Sequence, residues 1–150
     1  MLFLPLIIIT YILGGFFVLM LPRENSRRIA VITSAILLLD GIASILIYLR
    51  SEGPIAFDFF ASWIPLLGSN LHFGTDGISF PLILLSLFLG FIVTLIPPPH
   101  IENKNGERLY WAMILWLMAG VIGVFASLDL LVFYIFWEIV LILMFFIIAL

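Results

Sequence analysis

Two carboxylates stand where so apolar a chain should not tolerate them: Glu138, within the run from Leu130 to Leu150, and Asp40, within the run from Ile29 to Leu49. Glu138 is eight residues past Leu130, roughly 12 Å into a helix that rises ~1.5 Å per residue. Asp40 is twelve residues from Arg28 and ten from Arg50, which puts it near the middle of its segment. A charge at the centre of a membrane-spanning helix costs about 2.5–3.5 kcal/mol on insertion scales, so such residues generally face a bundle interior, find a partner or stay protonated. Burial raises a carboxyl pKa and a nearby cation lowers it. A group held between those influences loads and releases a proton as its surroundings change, which is what a proton relay requires. The same residue, protonated and bonded to a backbone carbonyl, can instead hold two helices together. Both readings stand for Glu138 and for Asp40.

The neighbours of the two acids differ. Thr33, Asp40 and Ser44 fall on one side of their helix with Ala43 beside them, a small polar stripe that fits helix packing and a hydrated seam equally well. Glu138 is surrounded by the bulk of Tyr134, Trp137 and Phe145, and only Tyr134 offers it a hydrogen bond. Its partner is therefore expected from another helix or another chain. Elsewhere, Ser86, Gly90 and Thr94, and then Ala119, Gly123 and Ser127, recur at four-residue spacing, a pattern that lets helix backbones approach closely. No metal-ligand cluster, nucleophile–base pair or phosphate-binding glycine loop is visible, so no cofactor or metal is expected. Cysteine is absent, which excludes disulfides and thiolate-held iron–sulfur clusters. His72 and His100 fall in different loops, where neither can ligate a haem buried in a membrane. Any redox chemistry is expected on another chain.

The elements that carry these residues follow from composition. Hydrophobic residues make up 65% of the chain and charged residues 10%, against about 45–50% and about 25% in soluble domains. Such a chain cannot cover itself with polar surface, and a lipid bilayer removes that need. The fold expected is an all-α membrane protein of five transmembrane helices at about 2–21, 29–49, 79–96, 109–126 and 130–150. These form one domain, 1–150, with an outer-face loop over 51–78. The first stretch lacks a basic start and a small-residue cleavage site, so it reads as a retained helix and not a signal peptide. Pro22 and the run Pro97-Pro98-Pro99 end helices one and three, Asp76 or Ser79 caps helix three, and Ser127, Leu128 and Asp129 form the turn between helices four and five. The aromatic loop after helix two lies on the outer face, as a hairpin near Leu71–Phe73 or as an interfacial belt segment. Basic residues gather on the cytoplasmic side. Arg23, Arg27, Arg28, Lys104 and Arg108 follow helices one and three, whereas Arg50 alone follows helix two, so the N-terminus is expected outside and the C-terminus inside. Nine acids and six bases without a basic patch give no sign of a nucleic-acid partner.

The segment Gly106 to Ile148, centred on Phe133-Tyr134-Ile135-Phe136-Trp137-Glu138, closely resembles helices four and five of the antiporter-like subunits. These belong to respiratory complex I, the multisubunit cation/proton antiporters and the membrane-bound hydrogenases. Phe73-Gly74-Thr75-Asp76-Gly77-Ile78-Ser79-Phe80-Pro81 is similar to the segment that leads into the family's third helix. The run Phe136-Trp137-Glu138-Ile139-Val140-Leu141-Ile142, followed by Met144-Phe145-Phe146, looks most like the branch of chain M (subunit four) of complex I and the D-type antiporter subunit. The resemblance covers roughly Phe57 to Leu150 and matches helices one and two in position only.

The resemblance implies that Glu138 is the functional glutamate of helix five, which in the family pairs with a lysine on helix seven and modulates its proton affinity. It implies a membrane-arm subunit of a redox-driven or antiporter assembly that contributes to proton or cation translocation; a structural subunit with no transport of its own is the alternative. The implied partners are other membrane subunits, antiporter-like chains among them, and the lipid of an inner or plasma membrane crossed many times. The family has about fourteen helices, whereas this sequence ends after the fifth, carries a single lysine, Lys104, in a loop, and has Leu143 where the motif usually has proline. The expectation is a truncated copy, one piece of a split subunit or a fragment of a longer product, with the answering lysine supplied from elsewhere.

Overall fold

The computed structural model describes residues 2–97 and 106–150. The apolar stretches form α1 (Phe3–Met20), α2 (Arg23–Leu49), α3 (Ser79–Leu95), α4 (Gly106–Ala126) and α5 (Leu130–Ala149). Between α2 and α3 the chain forms an antiparallel hairpin of β1 (Ala56–Ile64) and β2 (Ser69–Thr75). The fold is thus mostly helical and not all-α. By length and composition α1, α2, α4 and α5 can each cross a membrane. α3 is comparably apolar, but its 17 residues make a rod of about 26 Å against a hydrocarbon core of ~30 Å.

Local chemistry sets the boundaries. Leu21 is extended, with φ −98° and ψ 161°, as a residue before proline prefers. Pro22 follows at φ −57° and ψ 147°, and α2 starts at once at Arg23. The second helix therefore begins six residues earlier than hydropathy alone suggests, because a charged turn is still helical when proline precedes it and Glu24 lies in its first turn. At the start of α3, the Asp76 carboxylate accepts from the N–H groups of Ile78 (2.9 Å) and Ser79 (2.7 Å), while the Ser79 hydroxyl accepts from the Asp76 N–H at 3.0 Å. Both expected capping residues act together as a reciprocal cap. The Asp76 carboxyl is held below the usual carboxylate range, chiefly by the Ser79 N–H.

The hairpin reverses over Pro65–Leu67 and Gly68, which takes the left-handed φ of 66°; Leu71–Phe73 lie in β2 and not at the turn. His72 likewise sits on a strand, with Nε2 2.8 Å from Asp58 Oδ1 across the hairpin, while His100 lies outside the described residues. Between Ala56 and Phe59 the register shifts, and Phe57 takes φ 55°, an unusual conformation for an aromatic residue. This irregularity turns the Phe57 ring inward, 4.6 Å from Phe3 of α1 and 5.8 Å from Phe80 of α3 by ring centroids.

α4 is the central rod and packs against α1, α2, α3, α5 and β2. Trp111, Leu115 and Ile122 on α4 meet Leu4, Ile7 and Tyr11 of α1 and Leu87 of α3 in one core. Small residues permit the approach, as their four-residue spacing suggested. A Cβ at Gly90 would lie 2.6 Å from the Met118 sulfur, and one at Gly15 would fall inside the Trp116 indole, whose N–H donates to the Ile12 carbonyl at 3.0 Å.

The bundle has two chemically distinct ends. The hairpin covers one. At the other, the Arg27 guanidinium donates to the Thr94 carbonyl at 3.5 Å and to the Leu95 carbonyl, and Arg108 donates to the Leu21 carbonyl at 3.4 Å. These arginines satisfy carbonyls that the ends of α3 and α1 leave without helical partners.

Candidate functional site

Glu138 rides on a helix that is barely embedded. Over its apolar stretch 6% of α5 is buried, against 56% for α4. The contact runs along Gly120 and Gly123 of α4. The Phe136 ring occupies the place a Cβ would take at Gly123, and at Gly120 a Cβ would lie 2.8 Å from Val140. Phe136 also meets Phe73 of the hairpin, with ring centroids 6.0 Å apart. Glu138 is two residues from both Phe136 and Val140, which is about 200° around the helix from each. Its side chain therefore leaves α5 on the side turned away from α4.

That outward side carries Tyr134, Leu141 and Phe145, all exposed, with Glu138 half-buried among them. The Tyr134 phenol, one turn earlier, is the polar neighbour of the Glu138 carboxyl, as the spacing suggested. Trp137 stacks on Phe133 with centroids 5.9 Å apart. Among the described residues no cationic side chain pairs with Glu138.

The start of α5 is fixed by Asp129, which the sequence shows only as part of a turn. The Asp129 carboxylate accepts from the N–H groups of Leu131 (2.9 Å) and Val132 (3.3 Å), capping α5. It also accepts from the Asn70 N–H at 3.0 Å and the Ser69 hydroxyl at 2.9 Å. The Leu128 N–H donates to the His72 carbonyl at 2.9 Å. One carboxylate thus ties the last helix to the hairpin. These donors, the Asn70 N–H first, hold the Asp129 carboxyl below the usual carboxylate range against the opposing effect of desolvation. Aspartate before an apolar run is a readable capping signal, whereas the hairpin partners, some 60 residues distant, leave no local trace. A groove lined by Gly68, Ser69, Asp129, Phe133 and Tyr134 runs from the hairpin tip onto α5, so Tyr134 is reached from that end.

Asp40 is exposed on α2, so of the three situations open to such an acid it is not the one that faces the interior of this bundle. The stripe it was grouped with divides. Ser44 is buried and donates to the Gly41 carbonyl at 2.6 Å, Thr33 lies half-buried against Gly14, and Asp40 and Ala43 face outward. Residues four apart differ by about 40° around a helix, and the edge of the helix contact falls within that interval. α2 packs on α1, α3 and α4 and makes no extended contact with α5, so the fold does not bring Asp40 and Glu138 into one site.

Residues 55–124 match a family model described as NADH-ubiquinone oxidoreductase chain 4, amino terminus. F(420)H(2) dehydrogenase subunit M of Methanosarcina mazei is 46% identical over 90 residues, which cover 59% of this chain and 18% of that protein. NADH-quinone oxidoreductase subunit M of Escherichia coli is 37% identical over 93 residues, 62% of this chain and 18% of that protein. Its namesake in Pseudomonas aeruginosa is 31% identical over 160 aligned positions that take in 98% of this chain and 30% of the relative. The chain therefore spans between 18% and 30% of the length of these relatives. The motif before α3 and all but the last two residues of α4 fall within the region the family model matches, and over the stretch it spans the chain belongs to the family of NADH-quinone oxidoreductase subunit M, or chain 4, as a counterpart of its N-terminal portion.

Proposed function

We propose that these 150 residues are a single five-span membrane domain of a membrane-arm subunit in a redox-driven, complex-I-like assembly, and that Glu138 takes part in its proton or cation translocation. The observation that carries this reading is the placement of Glu138. It sits well inside an apolar helix, on the side turned away from the rest of the bundle, with the Tyr134 phenol beside it and no cation against it among the described residues. A carboxyl so placed is set by whatever approaches that side. A cation drawing near favours the ionised form, and its withdrawal favours the protonated one. The partner comes from beyond the described residues, on another segment of the subunit or on a neighbouring membrane subunit.

Five spans with the N-terminus outside and the C-terminus inside fit the distribution of charge. Arg27 and Arg108 act at the end of the bundle opposite the hairpin, where the positive-inside rule puts the cytoplasm. α3 runs from the hairpin end, at Ser79, to the arginine end, at Thr94, so it traverses the same layer as its longer neighbours. The hairpin, as the outer-face segment, then caps the non-cytoplasmic side.

The test is Glu138→Gln in the complete assembly, reconstituted in sealed vesicles. Ion translocation per electron transferred is measured beside assembly on a native gel. The expected result is an assembled complex with translocation reduced. Unchanged translocation in a normally assembled mutant refutes the transport role and leaves the chain a structural subunit.

A further inference from the structure

The interior of the bundle holds two hydroxyls that the proposed transport site does not use. Tyr11 of α1 and Ser34 of α2 have no exposed surface, so what lies beyond the described residues does not reach them. Neither hydroxyl has a hydrogen-bond partner among the described residues. The other buried hydroxyls are served. Ser44, Ser86 and Thr94 each donate to a carbonyl of their own helix, and Ser69 and Thr75 bond to Asp129 and to the Ala56 carbonyl. Ser34 does not turn to its own helix in this way.

The two hydroxyls face each other. Thr33, beside Ser34, lies against Gly14, one turn past Tyr11: a Cβ at Gly14 would come 2.9 Å from the Thr33 methyl carbon. Helices α1 and α2 therefore cross closely at this level, and the Ser34 hydroxyl is the side-chain group that the Tyr11 phenol meets. They nevertheless stop short of a direct bond. The phenol is stiff, and its oxygen reaches across to α3, where a Cβ at Gly90 would lie 3.4 Å from it. Each hydroxyl carries one donor and two acceptor lone pairs. Turning Ser34 onto a carbonyl of α2 would serve Ser34 alone and leave the phenol buried and unpaired, which is costly. A polar contact too long for a direct bond is the usual setting of a bridging water, and a buried water makes roughly two to four bonds of its own. One water between these oxygens serves both.

We propose that the Tyr11 and Ser34 hydroxyls bind one water molecule between them, inside the bundle, where α1 crosses α2 beside Gly90 of α3. The water donates to one oxygen and accepts from the other, so neither hydroxyl stays unpaired. Tyr11 is eight residues past Phe3 and nine before Met20, roughly 12–14 Å from either end of α1, so the site lies at mid-length of that helix. It gives α1 and α2 a polar joint beside the steric fit of Gly14 on Thr33.

The test is a cryo-electron-microscopy map of the complete assembly at a resolution that shows ordered water, with Tyr11→Phe and Ser34→Ala variants beside the native chain. The expected result is one density peak within about 3 Å of both oxygens, lost when both residues are substituted. Each single substitution keeps the packing carbon atoms and removes one oxygen. Each is expected to lower the midpoint of thermal unfolding, because the water and the remaining hydroxyl then fall short of a partner. Hydroxyls that are merely unpaired predict the opposite: their removal leaves the midpoint unchanged or raises it, and that result overturns the proposal. So does a native map in which the two oxygens bond directly, or in which Ser34 bonds a carbonyl of α2, with no peak between them. Where a variant fails to assemble, the native map decides alone.

Discussion

Substituting Gly123 by alanine should loosen α5 and disturb Glu138 without touching either polar site. The added Cβ falls inside the Phe136 ring, with Cδ1, Cγ and Cε1 all within 3.0 Å. The ring has little room to yield, since Phe73 of the hairpin stands edge-on to it at 6.0 Å. Overpacking of this kind costs about 1–3 kcal/mol, roughly a 5- to 150-fold shift in a two-state equilibrium. It acts on a helix with few other attachments, since 6% of its apolar stretch is buried. Reversible unfolding in mixed micelles, followed by tryptophan fluorescence, reads the loss. The same substitution is then made with Phe136→Ala, which vacates the space. In that background alanine should cost little, or gain up to about 1 kcal/mol from its better helix propensity. Equal costs with and without the Phe136 ring, or no cost in the native background, refute the argument that this close approach sets the seat of α5.

The clasp at Asp129 depends on pH. Because its folded pKa is depressed, chiefly by the Asn70 N–H, its stabilisation is present above the unfolded value of about 3.9 and is lost as pH falls through the folded value. Asp76 at the start of α3 behaves alike for the same reason, with the Ser79 N–H foremost. Hydrogen exchange at the N–H groups of Asn70, Leu131 and Val132 should therefore accelerate in acid below pH ~4, and Asp129→Asn should abolish that dependence. Arg27→Ala leaves the carbonyls of Thr94 and Leu95 without its guanidinium. It is expected to cost about 1–2 kcal/mol in the same unfolding assay, and Arg27→Lys should recover only part because it lacks the planar fork.

Helix number and helix boundaries were legible because apolar runs, prolines and acids at helix starts act locally. The six additional residues at the start of α2 were missed because hydropathy reports where lipid begins, not where hydrogen bonding begins. Glu138 was legible as an acid inside an apolar run beside Tyr134. Its direction was not: that follows from Phe136 and Val140 fitting against Gly123 and Gly120, a contact between two helices that no single helix encodes. Asp40 shows the same limit, since a 40° difference separates it from buried Ser44. The ties from Asp129 to Ser69 and Asn70, and from Arg108 to Leu21, join residues 59 to 87 positions apart and have no signature in spacing.

The breadth of the contact between α1 and α4, greater than that between α1 and its neighbour α2, bears on the order of events as the chain is made. Leu4, Ile7 and Tyr11 of α1 are almost wholly covered in the finished bundle, and α4 supplies much of the cover. More than 80 residues must emerge after α1 before that cover exists. During this interval, on the membrane-spanning reading, α1 and α2, joined only by Leu21 and Pro22, stand as an incomplete hairpin with that face of α1 not yet covered. Assembly is therefore a delayed closure, completed when α4 slots in and Arg108 reaches back to Leu21. A chaperone or insertase that shelters the first pair until then would act on the face that α4 later occupies.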